Sequence, residues 1–279
     1  MSDHRVHLPW QGHERRALLH VPPSEGASAP RPLVLALHGT GGSSRLMASI
    51  TGLSRLAGQH GFLVAYPQAL GEPGPEEPAR GAAWNAGPGL GCPAFADADD
   101  VGFLRALVGH IAAEHAVDPA RIHLCGLSNG GRMAYRMALE APELLASIAV
   151  VAGAWNGEGE RRGRPVSTLI LHGTDDEYIP YLGGVGTRGR AVHHGSAPEM
   201  ALRWGRLMGC EGRPKRRVQE PFHADTLSEG ATEVTFWTLP GEGHTWPGGR
   251  PWSPAADPPT TLLSASSLIW DFFQRHPQR

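Results

Sequence analysis

Lysine is nearly absent from this chain of 279 residues: Lys215 stands alone, and the rest of the fixed positive charge is arginine. The two signs almost cancel, 25 Lys and Arg against 27 Asp and Glu, so the formal net charge of −2 supplies no field to draw in nucleic acid or an anionic membrane. The arginines are scattered, and the one basic cluster, RPKRR at 213–217, is expected to be a solvated loop. With no Gly-Lys-Ser/Thr there is no phosphate-cradling P-loop, and with no HExxH there is no zinc-protease helix. Cysteine is scarce as well. Cys92, Cys125 and Cys210 cannot all pair with one another, which excludes a disulfide-built scaffold. Cys125 falls in an apolar run, where burial as a small hydrophobe is expected, and nothing local supports a Cys92–Cys210 bridge. Nowhere do roughly eighteen apolar residues follow one another, so no membrane-spanning helix is expected, and the first residues lack an apolar stretch of secretory length. These shortages lead to the expectation of a cytoplasmic protein with no nucleic-acid or membrane partner, its oligomeric state left open.

Glycine and proline, by contrast, are plentiful at 37 and 25 residues, and hydrophobic residues make up 41%, enough for a substantial core. No composition shift divides the chain, so residues 1–279 are expected to form a single domain. Apolar runs of strand length occur at 16–21, 33–37 (LVLAL), 62–66, 122–127, 147–151, 168–171 and 234–239. Helical spacing lies between them, up to Gly61, over 101–115, after Ser128, over 197–208 and over 262–273. Alternating strands and helices predict an α/β fold, a mainly parallel central sheet with helices on both faces. Asp97, Asp99 and Asp100 precede the 101–115 helix and are explained by capping and the helix dipole. A capping box is expected at Ser196 and Glu199. The Pro/Gly-rich stretch 67–96 has no periodicity, but Trp84 and Asn85 within it argue for an ordered loop near the site.

The chemistry concentrates at IHLCGLSNGGRMA, 122–134, where a strand breaks into Gly126-Leu127-Ser128-Asn129-Gly130 and resumes as a helix. A serine at the apex of so sharp a turn is held in a strained conformation, and small residues two before and two after it let the backbone close up. Serine needs a base within reach and a third group to orient that base. Both can be found downstream, each just after a strand: Asp176 in LHGTDD, preferred over Asp175, and His244 in GEGHTWPGG, with glycine neighbours that free the loop to place the ring. The order Ser, Asp, His, with each residue at the carboxyl end of a strand, is that of α/β-hydrolases. Backbone donors for an oxyanion are expected from Asn129, directly after the serine, and from Thr40 in HGTGG. His193 and His194 are adjacent, but no second pair stands at ligand spacing, and neither metal nor cofactor is expected.

Taken together, LHGTGG (37–42), AWNAG (83–87), DDVGF (99–103), DPARIHLCGLSNGGRMAYRMA (118–138), LHGTDDEYIPY (171–181), SAPE (196–199) and GEGHTWPGG (241–249) resemble the polyhydroxybutyrate depolymerase-like esterases, close to the feruloyl esterases, of the α/β-hydrolase superfamily. That resemblance places the nucleophile on Ser128, the acid on Asp176 and the histidine on His244, and it implies a serine carboxylesterase. Small or oligomeric esters are the substrates expected, since no separate polymer-binding module is seen. Trp84, Asn85, Tyr178 and Trp246 are candidates for the substrate pocket. A serine peptidase or acyltransferase would use the same three side chains, and a non-catalytic binding module is the alternative of another class.

Overall fold

A computed structural model of the protein describes residues 2–23, 29–72, 80–189 and 191–278. Parts of three expected loops, 24–28, 73–79 and residue 190, lie outside the described residues. The elements in chain order are β1 (Ser2–Trp10), β2 (His13–Val21), β3 (Arg31–Leu37), α1 (Ser44–Thr51), α2 (Leu53–His60), β4 (Leu63–Pro67), α3 (Asp100–Glu114), β5 (Val117–Leu127) and α4 (Asn129–Glu140). There follow β6 (Ser147–Val151), β7 (Ser167–Gly173), a two-stranded ribbon of β8 (Gly184–Val185) and β9 (His193–His194), α5 (Ala197–Leu207), β10 (Lys215–Gln219), β11 (Phe222–Glu229), β12 (Thr232–Leu239) and α6 (Ala265–Arg275).

Ten strands form one sheet in the order β1-β2-β4-β3-β5-β6-β7-β12-β11-β10. From β4 to β12 every neighbouring pair is parallel, and the antiparallel pairs are confined to the two ends. The period of two along each central strand explains why their sequences read as continuous apolar runs. In β3, Leu33, Leu35 and Leu37 face one core while Val34 and Ala36 face the other; β6 divides Ile148 and Val150 from Ala149 and Val151 in the same way. Phe103 of α3, Met133 of α4 and Trp204 of α5 fill the first core, and Met47 of α1, Leu56 of α2 and Phe272 of α6 the second. The fold is the expected α/β sandwich.

Four expectations change. The last three residues of RPKRR open an exposed edge strand, β10, whose backbone pairs along β11 while Arg216 forks onto the Asp225 carboxylate at 2.8 and 2.7 Å. Charged side chains suit a sheet edge, where they discourage further pairing. At the opposite edge β1 extends the sheet through residues whose polar alternation gave no apolar run. Ser196 is at the N-cap position of α5, but its side chain makes no capping hydrogen bond. Of the three aspartates before α3, Asp99 is the cap, accepting from Gly102 N at 2.8 Å, whereas Asp100 is buried against Arg15 of β2. All three cysteines are free and buried.

Candidate active site

Ser128 occupies the turn between β5 and α4 with φ 56° and ψ −117°, a backbone state costing on the order of 1–3 kcal/mol for a residue with a Cβ. The turn is clamped on both sides: Ser128 N donates to Val151 O at 2.9 Å, and Arg132 N donates to Ser128 O at 3.0 Å. The flanking glycines are required by contact. A Cβ on Gly126 would fall 2.2 Å from the carbonyl carbon of Gly130, and one on Gly130 would fall 2.3 Å from Leu37 O. The strand, the helix and the β3 turn therefore meet with no room for a side chain between them.

Asp176 and His244 follow β7 and β12, neighbours in the sheet. Their side chains meet at 2.8 Å between Asp176 Oδ2 and His244 Nδ1. Asp176 Oδ1 accepts from the amides of Tyr178 at 2.9 Å and Ile179 at 2.8 Å, a turn that fixes the carboxylate before the imidazole arrives. Burial pulls the Asp176 carboxyl upward, but the His244 hydrogen bond, the imidazole charges and the Ile179 amide outweigh it, and its pKa is lowered. A carboxylate only accepts, so His244 carries its proton on Nδ1 and turns a lone pair outward on Nε2. Asp175 instead accepts from Thr174 Oγ1 at 2.7 Å, away from the histidine. The His244 loop is tightly held. A Cβ at Gly243 would meet the Asp257 carboxylate at 2.3 Å, and that carboxylate accepts from His244 N at 3.3 Å.

A cleft of about 450 Å³ opens above these residues, and Ser128, Asn129, His244, Thr40 and Tyr178 all line it. In the turn after β3, the Gly41 amide is spent on Ala82 O and the Gly42 amide on Gly39 O, which leaves those of Gly39 and Thr40 uncommitted among the described residues. His38 anchors that turn from below. Its Nδ1–H donates to Gly39 O at 2.8 Å, and Nε2 accepts from the amide of Ala69 at 3.1 Å and from Gln68 Nε2 at 3.2 Å. Burial pushes its pKa down to about 4.

Three residues expected in the pocket lie elsewhere. Trp84 is wholly buried, its indole donating to His38 O at 3.0 Å, and Trp246 is 1% exposed with its indole on Ser266 Oγ. Both pack the walls behind the cleft. Asn85 lines a second cavity, of about 390 Å³, and its amide side chain donates to Ala98 O at 3.0 Å. Tyr178 does face the cleft, its ring 4.8 Å from that of His244. The sequence reading missed Met47, Ile50 and Trp252 on the apolar wall and Arg132 and His194 on the polar one. Arg132 carried a signal, standing one helical turn after Ser128; the others reach the cleft from distant segments. Among the described residues no three His, Cys, Asp or Glu side chains gather as a metal site.

A mainly parallel sheet with a strained serine turn after one central strand, and an Asp–His pair after two others, defines an α/β-hydrolase. Residues 16–169 match the family model described as Esterase PHB depolymerase. Along 94% of its length the chain is 31% identical to a putative esterase, NocK, of Nocardia uniformis subsp. tsuyamanensis, covering 79% of that protein. It is 28% identical to feruloyl esterase B of Piromyces equi over 82% of the chain, which spans only 42% of that relative. In three dimensions the acetyl xylan esterase of Aspergillus awamori superposes over 99% of this chain and 100% of its own with a TM-score of 0.68 at 16% identity, a likeness of fold. The chain belongs to the Esterase PHB depolymerase family and is a carboxylic ester hydrolase.

Proposed function

We propose that hydrolysis proceeds through an acyl-enzyme on Ser128, with His244 as proton carrier and Asp176 as its orienting partner. The observation that carries this reading is the buried Asp176–His244 hydrogen bond at 2.8 Å, which commits the imidazole proton to Nδ1 and leaves Nε2 basic in the cleft that Ser128 lines. His244 Nε2 takes the Ser128 hydroxyl proton as Oγ bonds to the ester carbonyl carbon. The carbonyl oxygen becomes an oxyanion, held by the N–H groups of Thr40 and Asn129. Collapse of this intermediate breaks the bond to the alcohol oxygen, which leaves with the proton from His244. A water then gives a proton to His244 and its oxygen to the acyl carbon, and the carboxylic acid departs as the serine regains its hydrogen.

The cleft volume falls within the ordinary range of small-ligand pockets, roughly 300–1,000 Å³, and its walls are largely apolar. This supports small or oligomeric esters of hydroxybutyrate, feruloyl or acetyl type as substrates. Ser128→Ala should abolish turnover of p-nitrophenyl butyrate and labelling by a fluorophosphonate while leaving circular dichroism unchanged. Wild-type turnover in that variant would remove Ser128 from the mechanism.

A further inference from the structure

Among the described residues the mechanism leaves two arginines of the cleft without a task, and one of them, Arg132, has no carboxylate partner. Arg132 lies in the first turn of α4, is 8% exposed and lines the cleft. Helical side chains tilt toward the helix N-terminus, so Arg132 leans back toward Ser128, about one turn or 5.4 Å away along the axis. Its Nη2 donates to His194 Nδ1 at 2.7 Å, while its Nε is buried with no partner. Since His194 Nδ1 accepts, that ring carries its proton on Nε2 and is a second donor on the same wall.

The charges around Arg132 do not balance it. Among the described residues no carboxylate comes within salt-bridge distance and no Asp or Glu lines the cleft, while Glu140 and Glu158 line the second cavity, whose wall Arg132 shares. Arg188, the other arginine among the described lining residues, is already neutralised by Asp257 at 3.1 Å and Glu177 at 3.6 Å and lies over the Tyr178 ring. Asp176 attracts Arg132 through space, yet its oxygens are occupied by His244 and two amides. A buried guanidinium is costly without an anion, and its planar fork matches a carboxylate.

We propose that Arg132, with His194 beside it, binds a free carboxylate on the substrate, so that the enzyme favours esters that also carry an acid group: hemiesters and carboxylate-ended hydroxyacid oligomers. This inference rests on the esterase reading above. Arg132 and Ser128 line the same cleft, so one substrate can reach both. Such a carboxylate can sit on the alcohol or on the acyl part, and two substrate pairs separate the cases. One pair is 3-(butanoyloxy)butanoate and its carboxamide isostere; the other is ethyl hydrogen glutarate and its carboxamide isostere, with acid release followed in a pH-stat.

Wild-type enzyme should show at least ~10-fold higher kcat/KM for the carboxylate member of one pair, the scale of a charge-assisted hydrogen bond. Arg132→Met should bring that ratio to about one, and Arg132→Lys should restore part of it. If Arg132 merely balances Asp176, Arg132→Met slows both members alike and the ratio survives, which overturns the proposal. Equal rates for both pairs in the wild type overturn it as well, and this comparison needs no variant to fold. Failure of the esterase reading looks different, since the wild type would then leave p-nitrophenyl butyrate intact too.

Discussion

His38 shows how a single protonation state is built into the site. Burial depresses its pKa to about 4, and the neutral ring has both nitrogens committed, one donating to Gly39 O and the other accepting from the Ala69 amide. His123, buried against Phe273 and bonded to Ser147, is depressed further, to about 3. In the unfolded chain both rings titrate near the ordinary value of about 6.5, so below that pH the unfolded state takes up more protons than the native one. The stabilisation is therefore complete above about pH 6.5 and drains away as pH falls toward 4, with His38 accounting for roughly 3 kcal/mol in full. Urea midpoints measured between pH 8 and 4.5 should fall steadily on the acid side; a midpoint that held or rose there would show that the two buried rings are not held neutral. Asp176→Asn offers an amide where the imidazole proton needs an acceptor, and kcat on p-nitrophenyl butyrate should drop by about 10⁴. Of these residues, the strained Ser128 turn and the Asp176–His244 contact could be anticipated because each residue follows a buried apolar strand. Trp84 and Trp246 misled for the opposite reason: a large aromatic in a loop can serve a wall as well as a pocket, and sequence carries no sign of which side it takes.

Among the elements, the loop at 82–91 is secured by two side chains of α4, Arg136, which donates to Asn85 O, and Asn129. Asn129 Oδ1 accepts from Trp84 N at 2.7 Å, and its Nδ2 donates to Trp84 O at 3.1 Å and Leu90 O at 2.9 Å. Asn129→Ala strands a buried amide and two carbonyls and should cost about 1–3 kcal/mol, read as a lower urea midpoint, with faster proteolysis confined to this loop. A change below a few tenths of a kcal/mol would show that water replaces the side chain fully. The central strands were readable because both of their faces are covered, which turns a period of two into an unbroken apolar run. The edges were not. β1 sets polar residues against one solvated face, and β10, KRRVQ, is exposed throughout, held by its backbone ladder and the Arg216–Asp225 fork. The Ser196 cap failed through geometry: at φ −57° and ψ 126° the residue is in position, yet its hydroxyl makes no bond to the helix amides.

Across the whole molecule, the β1–β2 end of the sheet is tied to helix α3 by one buried ion pair. Arg15 of β2 reaches Asp100 at 2.5 Å with both side chains 1% exposed, and its guanidinium also lies 3.9 Å from the Phe103 ring centre. Asp100 in turn accepts from Asn85 N at 2.7 Å. Breaking a buried pair from one side leaves a naked charge, so Arg15→Met should lower stability by about 3–5 kcal/mol by urea unfolding, and Arg15→Met with Asp100→Asn should recover part of that. Identical losses in the single and double variants would mean the pair is not coupled. The arginine–aspartate contact spans 85 positions in the chain, a separation over which residue spacing alone carries no information about contact.

That relay gives the front of the chain a stake in what happens at the cleft. β1 and β2 contribute no lining residue, yet Arg15 holds the carboxylate that receives Asn85, next door to the Trp84 backbone that Asn129 grips. A bulky fusion or a deletion ahead of β2 would thus disturb the ground on which the reacting groups stand, and its first symptom would be slower ester cleavage rather than a visible loss of fold.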